Sequence, residues 1–151
     1  MLGFTFTLQK VLDLKQKLED ELSLRLAEQE RKLAQAQEQL RRLEAQQANQ
    51  LQELEALQRR SALAMDLIAL YHQHLLYLRE CQQTQATYIE ALRRERDQRR
   101  EELVQVSKER KALEKLKEKQ FQAYQREMLR QEQKQLDEIG GHVFLRNVAE
   151  G

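Results

Sequence analysis

Between Gly3 and Gly140 the chain contains neither proline nor glycine. Those two residues interrupt helices most strongly, proline by losing its N–H and clashing with the preceding turn, glycine by its backbone entropy. The intervening residues are mostly Leu, Gln, Glu, Lys, Arg and Ala, which lose little side-chain freedom on entering a helix. An unbroken helix over residues 4–139 would reach roughly 200 Å at ~1.5 Å per residue. The expected solution is all-α: a long two-helix antiparallel coiled-coil hairpin. The alternative kept open at this point is a straight chain that pairs with a second copy as a generic scaffold or tether.

Composition narrows the reading. Charged residues make up 34% and aromatics 5%, with no tryptophan, so a wide globular core is out of reach. The 27 leucines, set at helical spacing, supply a narrow seam instead and argue against disorder. Net charge is +1 and balanced along the chain, which gives no block basic enough to bind nucleic acid by itself. The single cysteine, Cys81, cannot form an internal disulfide. No run approaches ~18 apolar residues, so no direct membrane insertion is expected. The first residues carry no basic and apolar leader pattern, and a cytoplasmic setting is the expectation.

The first helix is expected over about residues 5–60, N-capped by Thr5 or Thr7. Leu26, Leu33 and Leu40 recur every seven residues, within a longer series of steps of three and four. Lys15, Gln29, Gln47 and Gln50 interrupt that seam; polar seam residues weaken packing but fix register. A return helix is expected to about residue 139, with Leu92, Leu103, Val106, Leu113, Leu116, Tyr124 and Met128 on its face and Arg99 and Arg110 intruding. Gly140 then offers a left-handed cap, followed by a flexible tail over 140–151. The whole, residues 1–151, reads as a single coiled-coil domain.

Residues 61–78, SALAMDLIALYHQHLLYL, differ in composition, with Asp66 as the one formal charge. They read as a short apolar helical segment near the tip, with Ser61 as a possible cap. One stripe is Ala64, Ile68, Tyr71, Leu75 and Leu78; its neighbour is Leu63, Leu67, Leu70, His74 and Tyr77. This is more apolar surface than one partner helix covers. The turn is weakly marked: equal arms would put it near residue 71, whereas the pattern changes at Arg59-Arg60-Ser61.

Little in the chain supports catalysis, and no enzyme activity or cofactor is expected. His72 and His74 point to nearly opposite helix faces, and His74 lies roughly 10 Å from Cys81 by helix rise, so no metal site is expected. The carboxylate pairs Glu101-Glu102 and Asp137-Glu138 lack a pocket that would shift their pKa. No glycine-rich loop is available to hold a nucleotide phosphate. The run Arg93-Arg94-Glu95-Arg96-Asp97-Gln98-Arg99-Arg100 is interrupted by acids, and reads as a charged helix face rather than a DNA-binding basic region.

The two ends carry more specific information. Phe4-Thr-Phe6-Thr-Leu8-Gln-Lys-Val11-Leu12-Asp-Leu14 at the start, and Glu132-Gln-Lys-Gln-Leu136-Asp-Glu-Ile139 near the end, resemble the two ends of the FliJ family of flagellar export proteins. The resemblance implies an antiparallel coiled coil similar to the central stalk of rotary ATPases. It implies three sets of partners: the hexameric export ATPase FliI, the export gate protein FlhA and export chaperones. It also implies a place at the inner face of the cell membrane at the flagellar base. Tyr71, Leu75, Leu78 and Gln82 stand at the family's gate-contact spacing, although a histidine can occur where this chain has Gln82. Phe4, Phe6, Leu136 and Ile139 would then mark the end that enters the ATPase ring. Together these readings give an expected exposed stripe, Tyr71–Leu75–Leu78, docking on the gate; the alternative kept open is that these residues pack inside the hairpin, since leucines at helical spacing are usually core.

Overall fold

A computed structural model describes residues 3–60 and 64–150. Two helices account for nearly all of them: α1, Gln9–Arg60, and α2, Met65–Glu150. No strand occurs among the described residues. The first turn of α1 is closed by main-chain bonds, from Gln9 N–H to the Phe6 carbonyl at 3.0 Å and from Leu12 N–H to the Leu8 carbonyl at 2.9 Å. The expected cap Ser61 and the stripe residue Leu63 lie outside the described residues.

The change of pattern at Arg59-Arg60 marks the end of α1, whereas equal-arm arithmetic misplaces the turn. The arms are unequal, 52 residues in α1 and 86 in α2. Two further expectations are corrected. Among the described residues there is no separate tip helix: residues 65–78 are the opening turns of α2, because nothing after Leu78 breaks the helix. Nor does α2 stop at Ile139; it runs through Gly140 and Gly141 to Glu150, and neither glycine adopts a positive φ. A helical glycine costs about 1 kcal/mol relative to alanine and does not forbid the conformation.

The contacts fall into two units, one comprising residues 20–104 and the other residues 1–19 with 105–151. In the first unit α1 and α2 pack antiparallel. On α1 the covered positions are Leu22, Leu26, Gln29, Leu33, Ala36, Leu40, Leu43, Gln47, Gln50, Leu54 and Leu57, alternating steps of four and three. On α2 they are Ile68, Tyr71, Leu75, Leu78, Gln82, Gln85, Ile89, Leu92, Arg96, Arg99 and Leu103, with the same alternation. A strict seven-residue repeat keeps one seam facing the partner helix. Its centre is a cluster of Leu33, Ala36, Ile89 and Leu92, with Leu40 packed against it.

The second unit uses the same repeat on shorter arms. Phe6 and Leu12 are buried on the N-terminal side and Val106 on α2. Phe4 meets Phe121 edge-on, with ring centroids 5.3 Å apart, and Tyr124 at 5.7 Å. These contacts place Phe4 beside Phe121 rather than beside Ile139, roughly 27 Å farther along α2 by helix rise. From residue 131 to residue 150 every position is exposed.

Candidate interaction surfaces

Three glutamines cross the seam in the unit spanning residues 20–104. Gln29, only 4% exposed, donates from Nε2 to the Leu92 carbonyl at 3.4 Å and to Glu95 Oε2 at 2.9 Å. Gln85 Nε2 donates to the Ala36 carbonyl at 2.9 Å. Gln82 Nε2 reaches the Leu43 carbonyl at 3.3 Å and Gln47 Oε1 at 2.8 Å. Each amide finds acceptors on the facing helix, so the polar seam is satisfied and tied to one register.

In the other unit the polar seam is ionic. Arg110 pairs with Glu19 across the helices and with Glu114 one turn on, at 2.7 Å. Glu19 and then Glu114 accept from the guanidinium and raise its pKa. Lys15 Nζ lies 2.6 Å from Glu109 Oε2. The bond from Lys15, aided by one from Gln105, holds the Glu109 carboxyl below its usual value. A lowered folded-state pKa means that this stabilisation is complete above the unfolded carboxylate range and fades as pH falls through the folded value. Thermal melts should therefore weaken on acidification below about pH 4.5, and Glu109→Gln should flatten that part of the pH profile.

The tip residues divide in an unexpected way. Leu78 is 2% exposed, the most buried of the hydrophobic residues. Tyr71 and Leu75 are half-buried, and the Tyr71 hydroxyl donates to Glu53 Oε2 at 3.1 Å, which raises the tyrosine pKa. Gln82 is held by Gln47. The expectation of an exposed Tyr71–Leu75–Leu78 stripe is thus overturned: steps of four, three and four are the seam spacing itself, so these residues face α1. The excess apolar surface instead lies on the neighbouring stripe. Leu67 and Met65 are exposed, Leu70 is 60% exposed and Tyr77 61%. The Tyr77 ring stacks with His74, centroids 6.2 Å apart, beside a groove floored by Leu43 and Leu78.

At the other expected contact region, Phe6 is buried and Phe4 is half-covered by Phe121 and Tyr124, whereas Leu136 and Ile139 are about as exposed as Tyr77. The four residues do not form one patch. Leu129, Leu136, Ile139 and Val143 form an exposed row, of which the sequence analysis singles out only Leu136 and Ile139. Carried on in steps of three and four from Leu103, the α2 seam repeat would fall at Glu127, Gln131, Lys134, Glu138 and Gly141, so each member of the row stands one or two residues past a seam position. At about 100° per residue, the row is therefore turned onto a different face of α2 from the seam.

Four of the five arginines of the run lie near a carboxylate. Arg93 and Arg94 lie 3.9 and 4.0 Å from Glu90, Arg96 3.0 Å from Asp97, and Arg100 3.4 Å from Glu30. Among the described residues no group of three His, Cys, Asp or Glu side chains is placed to hold a metal ion. Likewise no described helix is long and apolar enough to cross a membrane.

These features define an all-α helical hairpin whose candidate functional surfaces are exposed apolar rows on α2. The family model described as "Flagellar FliJ protein" matches residues 4–149. The chain belongs to the FliJ family and is a flagellar export-related protein. Neither a curated protein nor a solved structure matches it.

Proposed function

We propose that the protein is a non-catalytic coupling component of flagellar export, acting between the hexameric ATPase FliI and the gate protein FlhA and assisting export chaperones. It would work in the cytoplasm, peripherally at the inner face of the membrane at the flagellar base. The observation that carries this reading is the family match over residues 4–149, joined to exposed apolar rows near the start and near the end of α2.

The ring-facing residues in this proposal are Leu136 and Ile139. Phe4 and Phe6, also expected there, serve chiefly to fasten the start of the chain against α2. The gate-facing surface keeps Tyr71 and Leu75 at its edge and gains Leu67, Leu70 and Tyr77 beside them. Leu78 supports it from beneath and Gln82 holds the register. Coupling follows from symmetry mismatch. One hairpin inside a six-fold ring touches some subunits and not others, and so biases assembly and the order of nucleotide turnover without touching nucleotide.

ATP turnover and oligomerisation of the FliI ring, with and without the chain, test the proposal. The parent chain should raise one or both, and Leu136→Ala/Ile139→Ala should lose most of that effect. Because both side chains are exposed, the thermal transition should stay put. A ring indifferent to the parent chain would overturn the coupling role.

A further inference from the structure

The adjacent glycines Gly140 and Gly141 sit inside α2, where a helix of ordinary sequence has no use for them. Neither has a positive φ, and a Cβ built on either meets nothing within 4 Å. No turn, close approach or packed neighbour therefore requires glycine at these positions. What remains is their effect on the helix–coil balance, about a fivefold loss of helix per glycine relative to alanine. The stretch beyond them, residues 142–150, is exposed at every position and shorter than the ~12–15 residues that an isolated helix needs to be even marginally stable in water. It nevertheless carries Val143, Phe144, Leu145 and Val148, all open to solvent.

We propose that Gly140–Gly141 is a built-in weak point that lets residues 142–150 pass between helix and coil independently of the rest of α2. The helix is unsupported by α1 throughout this stretch, and the glycine pair lies where the last apolar side chains begin. Nucleation from the preceding turns is thereby weakened, and the segment is helical only part of the time when nothing covers it. Ordering is then a separate step, available to be driven by whichever surface buries those four side chains. The inference does not depend on the identity of that surface.

Amide hydrogen exchange of the purified full-length chain tests it. In the parent, amides of residues 142–148 should exchange near the rate of an unstructured chain, clearly faster than those of 110–125. Gly140→Ala/Gly141→Ala should slow exchange over 142–148 by on the order of tenfold, leaving residues 20–104 unchanged. An exposed-site control, Gln133→Ala, should not reproduce the effect. Parent amides over 142–148 protected as strongly as those of 110–125, or no slowing in the double-alanine variant, would overturn the proposal.

Discussion

Leu78→Ala should lower the stability of the hairpin by about 2–4 kcal/mol, since it empties a buried seam position. For a chain of this size that corresponds to a thermal midpoint roughly 5–12 °C lower. Leu70→Ala and Tyr77→Ala, one helix face away, should each stay within about 1 kcal/mol of the parent, because their side chains remain largely in water. The three variants form a discriminating set for the tip. If FlhA binding falls in the Leu70 and Tyr77 variants while their melts are unchanged, the outer row is the contact surface. A Leu78 variant that melts like the parent would mean the two helices do not meet at this register. Thermal melts and a binding titration on the same preparations are sufficient.

The second large effect is expected at the seam glutamines. Gln29→Leu/Gln82→Leu/Gln85→Leu should raise the thermal midpoint by about 5 °C or more, since three satisfied amides give way to apolar contacts of similar volume. The same change should cost specificity. With their cross-helix bonds to Leu92, Leu43 and Ala36 gone, the seams lose polar register marks and keep only Gln47, Gln50, Arg96 and Arg99, which lowers the barrier to pairing in shifted registers or with another copy. Light scattering should then show a larger share of dimers or larger species than in the parent. A triple variant that is both more stable and strictly monomeric would show that the amides do not select the intramolecular pairing.

The helical class, the antiparallel pairing and the end of α1 were legible in the sequence because each rests on local rules. These are the absence of breakers, the seven-residue repeat, and the loss of pattern at Arg59-Arg60. The length of α2 was not legible, because Gly140 looks the same in a left-handed cap as in a continuous helix. Nor was the pairing of Phe4: arithmetic on chain length assumes equal arms, and nothing local to Phe4 names Phe121 as its neighbour. The tip misled for a more instructive reason. A contact spacing of four, three and four residues cannot be told from the seam spacing, so Tyr71, Leu75 and Leu78 fitted either reading until Leu78 was seen beneath α1. The ionic seam residues Lys15 and Arg110 were visible as intrusions, but their partners Glu109 and Glu19 depend on register, which single-helix periodicity does not supply.

The offset of Leu129, Leu136, Ile139 and Val143 from the seam repeat has a thermodynamic consequence. A protein that covers this row approaches on a different side of α2 from the one α1 uses. It need not displace Phe4, Phe6 or Leu12, and it gains nothing by prying the helices apart. Loading the row and closing the hairpin are then additive rather than competitive equilibria: saturating ligand should neither unfold the arm of α1 nor be weakened by changes that tighten it. The hairpin can be engaged and released many times without its helix–helix contacts entering the exchange.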